Sequence, residues 1–183
     1  MDNTEHSNSA PFAILAALER QSHQRGAALP VEEEGQPRWR GIGFRLDGER
    51  FVAALEEVAE VLVCPRLSPV PRTKAWVRGI ANLRGSLLPV MDLGGFLGHA
   101  PTQLTRHSRI LVIHQAGVHA GLLVDEVLGM RHFLDEERAA VPADLDEVLQ
   151  PFVTDAFADA GGTWLRFSMP ALATHPQFLQ VGS

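Results

Sequence analysis

The sequence predicts a mainly β protein, and three of its features lead to this fold class. After Arg38, apolar and polar residues alternate with a period of two, which is typical of strands. Short apolar segments are separated by turns that carry Gly, Pro or Asp. No long amphipathic helix falls between neighbouring strands, as a parallel sheet would require. A barrel or a sandwich of short strands is therefore expected.

The composition is that of an ordinary globular protein. The chain has 183 residues, 45% hydrophobic and 21% charged, which fits one compact domain or two small ones. The formal net charge of -6 gives no long-range attraction to a phosphate backbone. Tyr is absent and Trp numbers three, whereas barrels that bind single strands use basic residues and surface aromatics. No nucleic-acid partner is expected.

The cysteine content and the first residues favour a cytoplasmic protein. Cys64 is the only cysteine, so no intrachain disulfide can form. The acidic start and an apolar run that ends at Glu19 differ from a signal peptide. No apolar run approaches the roughly 20 residues that span a bilayer. We expect no direct membrane insertion.

Residues 1–37 are predicted to contain an amphipathic helix followed by an acidic linker. Ser9 precedes Ala10-Pro11, a typical helix start with a capping oxygen and an early proline. The helix would run to about residue 25, with these apolar residues on one face: Ile14, Leu15 and Leu18. That face is expected to pack on the protein itself, and docking on a partner is the alternative. Residues 26–37 combine Gly, Pro and three consecutive Glu residues and are predicted to be a linker.

The first strands form a predicted β-hairpin. Ile42, Phe44 and Leu46 alternate with other residues, and Asp47-Gly48 supplies the positive φ angles of a tight turn before residues 51–53. Further strands are predicted at 58–63, 79–84, 87–91, 109–114, 119–124, 127–132, 152–158 and 163–168.

Three short helices and a midpoint complete the predicted organisation. Helical segments are expected at 73–77, 92–96 and 142–149. A polar stretch with Gly and Pro at 97–108 separates two groups of about five strands. The expected architecture is two small barrels in contact, at approximately 38–100 and 101–178.

No pattern of residues predicts catalysis, a cofactor or a metal site. Nucleophile, phosphate-loop and metalloprotease motifs are absent from the sequence. Cys64 stands at the end of an apolar run, before Pro65, where a small buried apolar residue is expected rather than a reactive thiolate. A hairpin could bring His114 and His119 together, but a zinc site needs further ligands that the sequence does not nominate. We therefore expect no enzyme; a small-ligand-binding β-barrel stays as an alternative.

The segment around Arg84 is the strongest candidate for a binding surface. Asn82 and Gly85 bracket a strand–turn–strand in which Gly85 can take a backbone angle closed to other residues. Arg84 would stand beside this turn and offer its donors to a partner's carboxylate or carbonyl. A surface salt bridge to a neighbouring acid is the alternative role.

This segment resembles a known family. VRGIANLRGSLLPVMDL, from Val77 to Leu93, resembles the CheW-like domain signature G-x-x-N-L-R-G-x-x-x-P-x-x-D-L. The segments FRLDGERFVAALEEVAEVL and RILVIHQAGVHAGLLVDEVLGM match the family's first hairpin and its later strands in order, and the resemblance covers about residues 39–172.

The resemblance implies both a fold and a function. The fold would be a CheW-like domain at 38–178, made of two small five-stranded SH3-like barrels with short helices. The function would be that of a non-catalytic adaptor between the cytoplasmic tip of methyl-accepting chemoreceptors and the regulatory domain of a CheA-like histidine kinase. Such an adaptor would be recruited from the cytoplasm to membrane-bound receptor arrays.

The resemblance also implies site residues. Arg84, with Asn82 and Gly85 of the same motif, matches the family's receptor and kinase contact surface. Val58 and Glu60 match a strand implicated in binding the same partners, whereas Val61 could equally be core by alternation. The tail departs from the pattern, because Ser168-Met169-Pro170 stands where relatives often have an acidic residue that opens a last helix.

The family has branches that serve different pathways. The extension PFAILAALERQSHQRGAALP, followed by WRGIGFRLDGERFVA and KAWVRGIANLRG, most resembles the members that govern type IV pili and twitching motility. Members that serve flagellar chemotaxis are the alternative.

Overall fold

The computed structural model describes residues 38–182, which contain eleven strands and three short α-helices. The predicted amino-terminal helix and acidic linker lie outside the described residues. The strands are β1 (Arg38–Leu46), β2 (Glu49–Ala54), β3 (Glu60–Val63), β4 (Val77–Leu83), β5 (Ser86–Asp92), β6 (Arg109–Gln115), β7 (Val118–Val124), β8 (Glu126–Leu134), β9 (Arg138–Ala139), β10 (Val153–Asp159) and β11 (Gly162–Phe167). The helices are α1 (Leu93–Phe96), α2 (Met169–Thr174) and α3 (Pro176–Leu179), with 3-10 turns at Leu55–Glu57 and Asp135–Glu137. The mainly β prediction is confirmed.

The strands form two curled sheets. One has six strands in the order β8-β1-β2-β11-β10-β9, and the other has five in the order β3-β6-β7-β5-β4. Neighbouring strands are antiparallel except in the pairs β11–β2 and β5–β7. In the five-stranded sheet, Ser68 and Ile80 exchange backbone hydrogen bonds of 2.9 and 2.8 Å. This bridge connects the segment after β3 to β4 at the opposite edge, so the sheet curls into a barrel-like shape.

The sheets do not follow the expected division of the chain at about residue 100. The six-stranded sheet combines β1 and β2 with β8–β11, and the five-stranded sheet holds the intervening β3–β7. Two parallel pairs of strands set this arrangement. Strand β11 pairs with β2, where Leu165 lies opposite Phe51, and β5 pairs with β7, where Val90 lies opposite Gly121. The predicted halves 38–100 and 101–178 therefore correspond to neither sheet, and the strand numbers are six and five rather than five each.

Apolar side chains fill the space between the sheets and the concave side of each sheet. The main cluster includes Phe44, which is fully buried as predicted and stacks on Phe51 with ring centroids 5.5 Å apart. A second cluster fills the five-stranded sheet: Ala81, Leu88, Val90, Ile110, Val112 and Leu123. A third fills the six-stranded sheet: Val52, Phe133, Phe157 and Trp164. Side chains therefore occupy the interiors of both curled sheets.

Three hairpins have two-residue turns in which both central residues have positive φ angles. The predicted Asp47-Gly48 turn is one of them, with φ values of 50° and 83°. The others are Arg84-Gly85 and Ala116-Gly117. Positive φ at both positions is the type I′ pattern, whose twist matches that of the flanking strands.

The short helices were predicted only in part. Helix α1 confirms the segment at 92–96, and the Asp92 side chain caps it by accepting a hydrogen bond from Gly95 N–H at 3.1 Å. The helix predicted at 73–77 is wrong, because Lys74 N–H donates to the Val181 carbonyl and the Trp76 carbonyl accepts from Asp92 N–H. These long-range bonds replace the helical ones.

The helix predicted at 142–149 is also wrong. The segment forms separate turns, in which Leu145 N–H donates to the Pro142 carbonyl and Val148 N–H donates to the Asp146 side chain. Asp side chains that bond nearby backbone groups compete with helix formation. Helices α2 and α3 were not predicted, although the Ser168 cap and the following proline are an ordinary start signal.

Candidate functional site

The β4–β5 turn is the centre of the candidate binding surface. Leu83 pairs with Ser86, and Arg84 and Gly85 between them have φ angles of 53° and 91°. The Asn82 side chain oxygen accepts a hydrogen bond from Gly85 N–H at 2.9 Å. The structure therefore brings the three predicted motif residues together in one closed turn.

Arg84 is exposed on this turn, and its guanidinium forms no hydrogen bond or ion pair with another residue among 38–182. The salt-bridge role that the sequence left open thus has no partner in the described part of the chain. The backbone around Arg84 is fixed by the turn, while the side chain stays accessible. Such a group can donate to a carboxylate or carbonyl of another protein.

An apolar side chain accompanies the arginine. Leu87 lies opposite Asn82 in the β4–β5 ladder and is 65% exposed, whereas its neighbour Leu88 is buried. Leu87 was not among the residues predicted to bind a partner. The alternation of Leu87 with the inward Leu88 and Val90 is the signal that could have identified it.

The second predicted group lies on β3 and the turn before it. Glu60 is exposed, and Val58 is half-buried against the main core. Val61 and Val63 are 38% and 71% exposed, so they point away from the core. The core role that alternation allowed for Val61 does not hold, and Leu62 is the residue of this strand that packs on the inner cluster.

The two groups occupy opposite edges of one sheet. Strand β3, with Glu60, is one edge strand of the five-stranded sheet, and β4, with Asn82, is the other. The convex sides of the strands between them, β6 and β7, pack into the main core through residues such as Leu111 and Leu122. The two groups therefore lie on different strands, and the segment that follows β3 bridges to β4 through Ser68 and Ile80.

The sequence-family model of the CheW-like domain matches residues 40–177 of this chain. This chain belongs to the CheW-like domain family. It is 44% identical to the protein PilI of Pseudomonas aeruginosa over 171 residues, which are 93% of this chain and 96% of PilI. It is 34% identical to the protein FrzA of Myxococcus xanthus, over 54% of this chain and 61% of FrzA.

A solved structure shares the CheW-like fold. The scaffolding protein TtCheW from Thermoanaerobacter tengcongensis superposes with a TM-score of 0.63 at 24% sequence identity. The match covers 72% of this chain and 89% of TtCheW. At this identity the likeness concerns the fold alone.

Two positions of the CheW-like signature have structural roles here. The buried Asp92 carboxylate accepts from Gly95 N–H, from Thr102 N–H at 2.8 Å and from the Thr102 hydroxyl at 2.9 Å, and Arg78 lies 3.4 Å away. A carboxylate with this many donors can stay buried at little net loss of hydrogen bonding. Gly79 has a φ of 135°, and a Cβ there would overlap the Ser68 carbonyl.

Glu57 connects the first hairpin to the carboxyl-terminal helices. Its carboxylate accepts a hydrogen bond from Met169 N–H at 2.9 Å, at the start of α2. Desolvation by burial raises the pKa of this carboxyl above its usual value, although the Met169 hydrogen bond and Arg166 act in the opposite direction. Glu57 therefore holds α2 against the body of this CheW-like domain.

A cavity of about 520 Å³ lies between the β1–β2 turn and the 142–149 segment. Its floor includes Phe51 and Leu149, and its rim carries Asp144 and Asp146. None of the residues predicted to bind a partner lines it. Glu57 and Cys64, whose burial raises the pKa of each side chain, do not line this cavity.

The described residues contain neither a metal-ligand cluster nor a helix that could span a membrane. Within 38–182, no group of three or more His, Cys, Asp or Glu side chains is arranged to hold a metal ion. Helices in the same part of the chain are too short, or not apolar enough, to cross a membrane.

Proposed function

We propose that this CheW-like protein is a non-catalytic adaptor, which couples the cytoplasmic tips of methyl-accepting chemoreceptors to the regulatory domain of a CheA-like histidine kinase. The observation that carries the proposal is the 44% identity to PilI across 93% of this chain and 96% of PilI. A match of this extent covers nearly all of the CheW-like domain at 40–177. We place the protein in a pathway that controls type IV pili and twitching motility.

The β4–β5 turn is the first proposed contact surface. Arg84 would bind a carboxylate or carbonyl of the partner, while Asn82 and Gly85 hold the turn that presents it. Because the turn is already closed in the isolated chain, little backbone freedom would be lost on binding. The exposed Leu87 beside it adds an apolar contact.

Strand β3 is the second proposed contact surface. Glu60 provides a charge of the opposite sign, and Val61 and Val63 add exposed apolar side chains. Val58 is half-buried in the main core, so we assign it a supporting part in shaping this edge. Two separate groups of exposed side chains on one sheet suit a scaffold that touches two different proteins.

We place the protein in the cytoplasm, recruited to membrane-bound receptor arrays through its partners. The long match to PilI supports the pilus pathway over flagellar chemotaxis. The chemotaxis protein CheW of Thermotoga maritima, by comparison, is 29% identical over 52% of this chain. The ligand-binding alternative is less well supported, because side chains fill the interior of both curled sheets.

Two experiments test the proposal. Calorimetric titration of the full chain against the regulatory domain of its own CheA-like kinase should give saturable binding with a one-to-one ratio. Deleting the gene should abolish twitching and leave swimming intact, and the wild-type gene should restore twitching. Absence of binding to both the kinase domain and a receptor tip fragment would refute the adaptor role, whereas loss of swimming alone would refute the pathway.

A further inference from the structure

The β6–β7 hairpin carries a pair of histidines on facing strands. His114 lies directly opposite His119, one residue pair away from the Ala116-Gly117 turn. The ring centroids are 5.5 Å apart and the ring planes are inclined by 35°. Gln115 and Val118 form the pair next to the turn, so the histidines occupy the following position, where facing side chains approach each other most closely.

This separation matches the geometry of two imidazoles on one metal ion. With metal–nitrogen bonds of about 2.0–2.1 Å and a bond angle of roughly 90° to 120°, the two ring centroids stand about 4.5 to 5.5 Å apart. The observed 5.5 Å falls at the upper end of this range. The spacing of the two rings therefore suits two imidazoles that share one ion.

Both rings are also available to a ligand. His114 and His119 are exposed, and within residues 38–182 neither forms a hydrogen bond or an ion pair with another side chain. Their strands are interior strands of the five-stranded sheet, with β3 and β5 as outer neighbours. The register of the pair is therefore fixed before a ligand arrives, which reduces the entropy lost on chelation.

We propose that His114 and His119 form a two-ligand binding site for a divalent first-row transition metal. Imidazole pairs suit Ni²⁺, Cu²⁺ and Zn²⁺, and Cu²⁺ should bind most tightly by the general affinity order of these ions. The site is distinct from the β4–β5 turn and does not depend on the adaptor role.

The site is open rather than structural. A structural zinc site has four protein ligands, whereas no group of three metal-ligating side chains occurs in the described part of the chain. Water, or a donor from another molecule, completes the coordination of the ion. The bound ion should link β6 to β7 beside the turn. It should also exchange readily with ions in solution.

The test is calorimetric titration of Cu²⁺ into the full-length protein at neutral pH. The variants are His114→Gln and His119→Gln, and the matched control is His132→Gln, which replaces an exposed histidine on β8 that has no facing histidine. Residues 1–37 contain His6 and His23, so any copper that they bind is common to all four proteins.

We expect His114→Gln and His119→Gln each to weaken one equivalent of Cu²⁺ binding by about tenfold or more, because each removes the intramolecular second contact. His132→Gln should bind as the wild type does. Equal binding by all four proteins would overturn the proposal. It would also be overturned if only one of the two substitutions had an effect, since a single imidazole is not a chelate. Circular dichroism of each variant separates loss of the ligand from loss of the fold.

Discussion

The Asn82 side chain accepts a hydrogen bond of 2.9 Å from Gly85 N–H, and this bond closes the turn that presents Arg84. Arg84 has a φ of 53°, a left-handed conformation that is unfavourable for a residue with a Cβ. An arginine at this position therefore reduces the stability of the turn, and the partner-binding role proposed above gives a reason for its presence.

The first prediction concerns this trade between stability and binding. Arg84→Asn should raise the free energy of unfolding by about 1 kcal/mol, because Asn-Gly is the preferred pair in a type I′ turn. The same change should weaken kinase or receptor binding, since it removes the guanidinium. Urea unfolding and calorimetric titration measure the two effects. Gly85→Ala is the opposing control, and its φ of 91° predicts a loss of about 1 kcal/mol. Lower stability of Arg84→Asn would show that the arginine supports the fold.

A second prediction concerns the buried Asp92. Asp92→Asn should lower the free energy of unfolding by about 3 kcal/mol, because the new amide would face donors from Gly95 and Thr102 and would lose its attraction to Arg78. Urea unfolding measures the change. Asp144→Asn, on the exposed rim of the cavity, should be nearly neutral. Equal stability of the two variants would mean that the Asp92 network is not important for stability.

The third prediction follows from the raised pKa of Glu57. A carboxyl whose folded pKa lies above its unfolded pKa binds more protons in the folded state, so stability falls as the pH rises through that window. Its contribution is fully present below the unfolded pKa. Glu57→Gln keeps an acceptor for Met169 N–H and should remove this component. Urea unfolding between pH 4 and pH 7 should therefore show a smaller decline with rising pH for the variant. Identical profiles would exclude Glu57 as a source of pH dependence.

The fourth prediction tests the packing of the main core. Phe44 is fully buried against Phe51 and Phe167, so Phe44→Ala should destabilise the protein by about 3 to 5 kcal/mol. Leu87→Ala, at a 65% exposed position, is the matched control and should change stability by less than about 0.5 kcal/mol. Thermal melting distinguishes them. A near-native melting temperature of Phe44→Ala would mean that the Phe44 ring faces solvent rather than the main core.

Local signals were sufficient for much of the fold. Asp47-Gly48 predicted its turn because few dipeptides supply two positive φ angles, and the alternation around Phe44 predicted which side of β1 is buried. The sheets themselves were not predictable from such patterns. The pairing of Leu165 with Phe51 joins segments more than a hundred residues apart, and strand alternation says nothing about which strand lies alongside.

Local sequence patterns also predicted only part of the candidate site. The spacing of Asn82 and Gly85 predicted the turn at Arg84, because both residues act locally. Two other features depend on tertiary packing, so no local pattern indicated them. They are the exposure of Val63 on an edge strand and the hydrogen bond from Met169 N–H to the Glu57 carboxylate. The His114–His119 pair was recognised as possible in the sequence, but its separation is a property of the folded hairpin.

Arg84 is proposed to contact a signalling partner. Calorimetric titration against the regulatory domain of the CheA-like kinase, and in parallel against a receptor tip fragment, tests it with Arg84→Glu and the matched control Arg72→Glu. Arg72 is also exposed and also has a positive φ, of 58°, but it lies outside the β4–β5 turn. We predict at least about tenfold weaker binding of one partner by Arg84→Glu, since the change reverses a charge at the interface, and wild-type binding by Arg72→Glu. Unchanged affinity of Arg84→Glu for both partners, with a native circular dichroism spectrum, would show that Arg84 contacts neither partner.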